Sequence, residues 1–344
     1  MSDFSLLITE WYRQNKRDLP WRDTNDPYFI WLSEIILQQT RVEQGFPYYE
    51  KFINNFPTVE LLANSDEQKV LKLWQGLGYY SRARNLHTAA KQIVENHGGK
   101  FPTTYKEIKA LKGIGDYTAA AVASFAYNLP HPVVDGNVFR VLSRFYDDET
   151  PIDTSKGKKL FTRYAEDLIS KKEPGLFNQA IMELGALVCK PKNPDCEVCP
   201  ISAACLSRQN NTFHLRPVKS KKTKVKEVYF YYLYTDQNKI PVEKRTKGIW
   251  QNMYQLPLIE SDKKLSVKKL KEKVIEQYKT ELIAVAPSDR YTHLLSHRKI
   301  NAEFWKMEEI NKKQVKFIAE EELQDYPFPR LITRFFEDKQ KREK

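Results

Sequence analysis

The sequence predicts a mainly helical protein of two domains: an all-helical one that ends in a cysteine loop, then a smaller α+β one. Three observations carry this. Apolar residues recur at helical spacing from Ser5 to Leu206, four cysteines crowd between Cys189 and Cys205, and the pattern after Glu227 switches to β-branched and aromatic runs. A length of 344 residues suits two domains, each large enough to bury a core. At 41% apolar and 29% charged, the composition excludes a largely disordered or collagen-like chain. No run of 18 apolar residues occurs, and Met1-Ser2-Asp3-Phe4 lacks the basic and then apolar order of a signal peptide. The expectation is a soluble, intracellular protein with no membrane partner.

In chain order, Phe29 to Leu37 (FIWLSEIIL) is apolar nearly all round and reads as a buried helix. Asp66 to Trp74 places Val70, Leu71 and Trp74 at helical spacing. Leu86 to Val94 and the Ala-rich Thr118 to Tyr127 are further helices. Pro and Gly divide these segments, and no internal repeat interrupts them. In the second domain, Val228 to Tyr234 (VYFYYLY) favours a strand, and Ile300, Ala302 and Phe304 alternate with polar neighbours as a half-buried strand does. Val267, Leu270, Val274 and Tyr278 form a helical stripe between them. The expected division is a helical domain over 1–206, a basic linker over 207–226 and an α+β domain over 227–344.

The chain carries 56 Lys and Arg against 44 Asp and Glu, a formal net charge of +12 that favours a polyanionic partner, nucleic acid before an anionic membrane. Between Leu206 and Lys226 lie Arg208, Arg216, Lys219, Lys221, Lys222, Lys224 and Lys226 with no acidic residue. A solvated linker and a phosphate contact explain that stretch equally well.

Cys189, Cys196, Cys199 and Cys205 follow the spacing C-x6-C-x2-C-x5-C. Disulfides are disfavoured inside a cell. Structural zinc usually presents two C-x-x-C knuckles, whereas only one occurs here. A [4Fe-4S] cluster tolerates looser spacing because its irons are spread over a cube, so the spacing favours a cluster in a structural role. No catalytic metal is expected.

Leu111 to Ala119 reads LKGIGDYTA. Gly113 and Gly115 just before a helix allow a tight turn whose N–H groups point at one anion. With Lys112 beside them and Thr118 in the helix's first turn, this suits a DNA phosphate contacted without reading sequence. A G-x-G is also an ordinary turn.

LKGIGDYTA resembles the helix-hairpin-helix of the endonuclease III superfamily of DNA glycosylases. VVDGNVFRVLSR (Val133 to Arg144) resembles the segment holding that superfamily's essential Asp, and the cysteine spacing resembles its iron–sulfur loop. With LPWR (Leu19 to Arg22), WLSEIILQQTRV (Trp31 to Val42) and GLGYYSRARNLH (Gly76 to His87), the chain resembles adenine DNA glycosylases of the MutY type. YTHLLSHRK (Tyr291 to Lys299) and GIWQNMYQLP (Gly248 to Pro257) extend the likeness to a Nudix-like second domain.

The resemblance implies a monomer that acts in base excision repair on double-stranded DNA, removing adenine opposite 8-oxoguanine or guanine. It makes Glu34 the acid that protonates adenine N7 and Asp135 the anion that steadies the sugar cation, with Tyr117 and Asn137 beside them. Where bifunctional relatives carry a Lys, this chain has Tyr117, and a phenol forms no Schiff base, which implies a monofunctional enzyme. Trp21, Arg22, Leu37 and Gln179 match the adenine pocket, and Gln39 and Tyr79 match positions that enter the duplex beside the lesion. Leu295, Ser296 and His297 match the lesion-reading Phe-Ser-His motif, with Leu in the Phe position and so no aromatic face there. The Lys-rich segment from Ser266 to Tyr278 lacks the Glu cluster of a Nudix hydrolase.

From the residues alone, Glu34 interrupts an apolar helix, where desolvation raises a carboxyl pKa. Asp135 precedes a helix start, whose donors and dipole are expected to keep it charged. Glu34 and Gln38 at i and i+4 also fit a solvated stripe, and Asp135 fits a plain N-cap. Two rivals remain: a bifunctional glycosylase/lyase for oxidised pyrimidines, and a non-catalytic iron–sulfur DNA-binding protein.

Overall fold

The computed structural model describes residues 2–220, 225–235, 239–295, 297–307 and 315–343. Its helices are α1 (Ser2–Asn15), α2 (Pro27–Ile36), α3 (Val42–Asn55), α4 (Val59–Ala63), α5 (Glu67–Leu73), α6 (Ser81–His97) and α7 (Tyr105–Ala110). They continue with α8 (Asp116–Tyr127), α9 (Gly136–Phe145), α10 (Ser155–Leu168), α11 (Pro174–Leu187), α12 (Leu206–Gln209), α13 (Val267–Tyr278) and α14 (Arg330–Glu343). The chain forms two compact units, residues 1–64 with 85–221, and residues 65–84 with 222–344.

The first unit is helical, as its sequence predicts. Asp26 caps α2 by accepting from the Tyr28 N–H at 2.8 Å, Pro27 occupies the first turn, and Tyr28 and Ile30 through Ile36 are all buried. An apolar helix in which even Glu34 is buried sits inside a bundle rather than on its surface. α8 buries Thr118 through Ser124 and stops at Asn128, which adopts the left-handed conformation at φ 52°. α11 lies close on α9: a Cβ added at Gly185 would come within 2.6 Å of Asn137 Cβ.

One buried polar group fixes the approach to α9. Asn178 of α11 is 0% exposed; its Oδ1 accepts from the Val133 N–H at 3.0 Å, and its Nδ2 donates to Ser124 Oγ and the His131 carbonyl, both at 2.9 Å. A buried amide with its partners satisfied orients the extended segment that delivers Asp135.

The segment after the cysteine loop departs from the linker expectation up to Ser220. Arg216 is buried and pairs with Asp147 at 3.0 Å and Glu149 at 2.8 Å, the Ile152 N–H donates to the Val218 carbonyl, and Ser220 bonds Asp153. This part of the stretch folds back on the helical unit, so Arg216 spends its charge internally. Lys221, Lys222 and Lys224 lie outside the described residues.

In the second unit the strands are β1 (Lys226–Tyr234), β2 (Lys239–Lys244), β3 (Tyr254–Gln255), β4 (Leu258–Ser261), β5 (Asp289–Leu294), β6 (Arg298–Lys306) and β7 (Lys316–Ala319). Among the described residues they form a sheet in the order β4-β1-β6-β5 and a second in the order β3-β2-β7. β1 and β6 run parallel, with Val228 opposite Ile300 and Tyr232 opposite Phe304. Leu270, Val274 and Tyr278 of α13 pack on Tyr231, Leu233, Ile259 and Trp305. Val267, the first residue of the expected stripe, is instead 40% exposed, because the helix has only just begun there. Segment 65–84, which the sequence division gave to the helical domain, packs with this unit. No helix among the described residues is long and apolar enough to cross a membrane.

Candidate active site in the helical unit

A cavity of about 170 Å³ opens between α2, α8, the start of α9 and α11, lined by Trp21, Arg22, Glu34, Leu37, Tyr117, Asp135, Asn137 and Gln179 among others. Residues drawn from five parts of the sequence meet there. Trp21 stands edge-on to Tyr49 with ring centroids 5.0 Å apart, which fixes one wall.

Glu34 projects from the middle of α2 and is only 8% exposed. Burial pushes its carboxyl up to about 7, and the charge of Asp135 pushes the same way. A 2.6 Å hydrogen bond donated by the Tyr117 hydroxyl, and the charge of Arg22, pull it down. A carboxylic acid that holds its proton near neutral pH can deliver it to a base in the cavity.

Asp135 is the N-cap of α9. It accepts from the Val138 N–H at 2.8 Å and from Asn137 Nδ2 at 2.9 Å. The capping is as the sequence suggests, but the pKa moves the other way: burial raises it above the ordinary Asp value, against the backbone and Asn137 hydrogen bonds and the charge of Arg140. What separates the two carboxyls is their partners. Asp135 has donors for its anion on both oxygens, whereas Glu34 takes its hydrogen bond from the Tyr117 phenol. Asn137 is held in turn: Arg140 Nη2 donates to its Oδ1 at 2.9 Å and to the Gly185 carbonyl at 2.7 Å, while Arg140 Nε reaches the Cys189 carbonyl at 2.7 Å.

The sequence reading missed the ion cluster on the cavity's other wall. Glu183 is wholly buried and binds Arg22 at 2.6 Å and Arg17 at 2.7 Å. Burial alone would raise its carboxyl, but hydrogen bonds from Arg22 and Arg17 outweigh this and hold it down at about 2. Tyr12 also escaped notice; its hydroxyl donates to Gln179 Oε1 at 2.7 Å. The signal available was a Gln and a Glu four apart on α11, Gln179 and Glu183, on a helix whose other residues apart from Asn178 are apolar.

The hairpin between α7 and α8 places Lys112, Gly113 and Gly115 on the surface. Gly113 has φ +77°, and a Cβ there would meet Asn85 Cβ at 2.5 Å, so the fold itself demands glycine. Gly115 is different. Its φ is −95°, nothing lies within 4 Å of an added Cβ, and it offers the first turn of α8 no capping side chain. Thr118 departs from the expected grip: it is 1% exposed, and its hydroxyl accepts from Gln38 Nε2 at 3.2 Å, because α8 turns that face inward.

The four cysteines line one cavity with Arg144, Arg208 and Phe213. Arg144 Nη1 donates to Cys189 Sγ at 3.3 Å. Burial pushes the Cys196, Cys199 and Cys205 thiols up, Cys199 to about 12. Among the described residues, no three His, Cys, Asp or Glu side chains converge closely enough to hold a single metal ion.

Gln39 and Tyr79 share an unusual backbone. Both are exposed and non-glycine, with φ 56° and 47°, and Tyr79 leaves 48% of its surface open. A bulky residue held in the left-handed region is strained, and such strain clusters at working sites. In the second unit, Leu295 is half-buried and His297 exposed at the β5–β6 connection, where the Leu295 N–H donates to the Arg298 carbonyl; Ser296 lies outside the described residues.

The chain matches the HhH-GPD superfamily of base excision DNA repair proteins over residues 32–169 and the NUDIX domain over residues 229–338. An adenine DNA glycosylase of Buchnera aphidicola subsp. Baizongia pistaciae is 38% identical over 299 residues, covering 86% of this chain and 83% of that one. The adenine DNA glycosylase of Buchnera aphidicola subsp. Schizaphis graminum is 33% identical over 340 residues, covering 97% and 98%. Among solved structures, a thermostable thymine-DNA glycosylase superposes with a TM-score of 0.56 at 30% identity, over 60% of this chain and 95% of that one. Two domain matches in this order, with adenine DNA glycosylases aligned over most of both chains' lengths, show that the chain belongs to the adenine DNA glycosylase family of base excision repair enzymes.

Proposed function

We propose that this chain flips an adenine out of duplex DNA where it is paired with 8-oxoguanine or guanine, and hydrolyses its bond to deoxyribose without cutting the strand. The observation that carries this reading is Glu34, a buried acid with its pKa near 7, facing a cavity it shares with Asp135. Glu34 gives its proton to adenine N7, which makes the base a better leaving group. Asp135, with its anion held by the Val138 N–H and Asn137, steadies the oxocarbenium-like sugar, as a carboxylate pair does in glycoside hydrolysis. Tyr117 orients Glu34 and supplies no amine for a covalent adduct.

An intact base must leave the stack before it and its sugar can enter the cavity that holds Glu34 and Asp135, at a cost of a few kcal/mol. Gln39 and Tyr79 enter the duplex and hold the gap, and their strained, exposed backbones support that role. The hairpin of Lys112, Gly113 and Gly115 takes a phosphate; at Gly115 neither φ nor packing calls for glycine, which leaves an approaching ligand as the reason. The second unit reads the base opposite adenine, through Ser296 and His297. Incubated with an 8-oxoguanine:adenine duplex, the protein is expected to release free adenine, to cut the strand only after alkali, and to spare adenine paired with thymine. Borohydride trapping of a protein–DNA adduct would favour the bifunctional rival, and no release at all the non-catalytic one.

Cys189, Cys196, Cys199 and Cys205 suit a [4Fe-4S] cluster. They line one cavity, and buried thiols become thiolates only beside a compensating cation. When bound, the cluster holds the loop folded; the chain's own Arg140 then fastens Cys189 to Asn137. Anaerobically purified protein is expected to contain iron and acid-labile sulfide in equal amounts, about four of each per chain. Cys199→Ser should lower both and destabilise the helical unit. Stoichiometric zinc without sulfide would contradict the assignment.

A further inference from the structure

Tyr79 sits at the tip of a turn that follows α5 and leads into α6. The turn is braced internally: Trp74 Nε1 donates to the Gly78 carbonyl at 2.9 Å, the Gly76 N–H donates to the Tyr80 hydroxyl at 3.1 Å, and Arg82 lies 5.1 Å from the Trp74 ring and 5.6 Å from that of Tyr79. Gly76, Gly78 and Tyr79 all have positive φ. Strain of this kind persists only where the surroundings impose it.

The segments on either side of the turn are tied to residues that lie nearly two hundred positions later in the chain. Asn252 Nδ2 donates to Glu67 Oε1 at 2.7 Å, and the Asn252 carbonyl accepts from Gln68 Nε2 at 3.1 Å, both on the α5 side of the turn. On the α6 side, Arg84 Nη1 donates to the Gln251 carbonyl at 2.9 Å. Loop 248–253 therefore grips both arms of the turn. The loop is itself fixed, since the Arg245 N–H donates to the Met253 carbonyl and the Asn252 N–H to the Arg245 carbonyl. Trp250 is 7% exposed and packs edge-on against Phe230 and His293. Trp250 and Asn252 both hold left-handed backbone, at φ 60° and 66°.

We propose that loop 248–253 is a latch that holds Tyr79 ready to enter the duplex, with Glu67, Gln68, Arg84 and Asn252 as positioning residues. The Nudix-like domain then has a second task besides reading the base opposite adenine: it sets the geometry of a wedge carried on a segment from the first quarter of the chain. The inference rests on the reading of Tyr79 as an intercalating residue.

The test uses the full chain on an 8-oxoguanine:adenine duplex with 2-aminopurine beside the mispair, reading its fluorescence on binding and the single-turnover rate of adenine release. Glu67→Ala combined with Arg84→Ala should lower the rate about 10- to 100-fold and blunt the fluorescence rise. In a Tyr79→Ala background the same pair should add less than about twofold, because coupled residues are not additive. Glu67→Gln with Arg84→Lys should restore most of the loss. The two single alanine variants must show the same pattern, which keeps the test open should the double variant fold poorly. A wild-type rate in the alanine pair, or an equal loss with and without Tyr79, overturns the latch. A silent Tyr79→Ala removes the wedge reading itself, and the latch with it.

Discussion

Glu34→Gln is expected to lower adenine release by about 10²- to 10⁴-fold while binding to the duplex survives, because positioned acid catalysis contributes on that scale. The amide keeps the size of Glu34 and still accepts from the Tyr117 hydroxyl, so the pocket is retained and only the proton is lost. The same substitution should change stability in a pH-dependent way. Folding raises the Glu34 pKa from 4.5 to about 7, so the native state holds its proton where the unfolded chain has given it up. Below 4.5 both states are protonated and the residue costs nothing. From there to about 7 the native state loses stability as pH rises, and above 7 the full penalty stands. Thermal unfolding should therefore find Glu34→Gln more stable than the wild type at pH 8 and equal to it at pH 4, and a deficit at pH 8 would mean that folding does not raise the carboxyl's pKa.

Glu183→Ala should destabilise the helical unit by about 3–5 kcal/mol, the range for removing one partner of a buried ion pair. Arg22, with 11% of its side chain exposed, is left beside the cavity without its counter-charge, whereas Arg17, at 35%, turns to solvent more readily. The depressed pKa gives the sign. Held at about 2 against 4.5 in the unfolded chain, the Glu183 carboxylate contributes stability that is complete above 4.5 and lost as pH falls through about 2. Denaturant midpoints at pH 7 and pH 3 should show a smaller penalty for Glu183→Ala at the lower pH. An unchanged midpoint at pH 7 would remove the cluster from the stability of the pocket.

Glu34 was legible in the sequence because a single carboxylate interrupted an apolar run, and desolvation acts on any acid so placed. Asp135 was legible as a cap, yet its pKa direction was not: the donors of a helix start are local, but burial outweighs them, in a cavity lined by residues distant in sequence such as Glu34, Tyr117 and Gln179. Glu183 was hidden because its partners Arg17 and Arg22 lie more than 160 residues away, and no local spacing encodes such a pairing. The inward turn of Thr118 follows from a helix phase set by packing. The left-handed backbones of Gln39 and Tyr79 carry no mark in the residue types, since neither Gln nor Tyr favours that region. The two strand patterns and the change of character after Glu227 were read directly from β-branched and aromatic runs. That α5 and the Tyr79 turn pack with the second unit was not, because their helical spacing shows only that one face is buried, not against what.

The central claim is that one buried acid supplies the proton that releases the base. The most direct measurement is the single-turnover rate of adenine release from an 8-oxoguanine:adenine duplex between pH 5 and pH 9, with DNA binding saturated at each pH. The rate should fall as pH rises through about 7, following the protonated fraction of Glu34, and Glu34→Gln should be flat and low throughout. A wild-type rate that does not change across this range, or wild-type release by Glu34→Gln, would contradict the account.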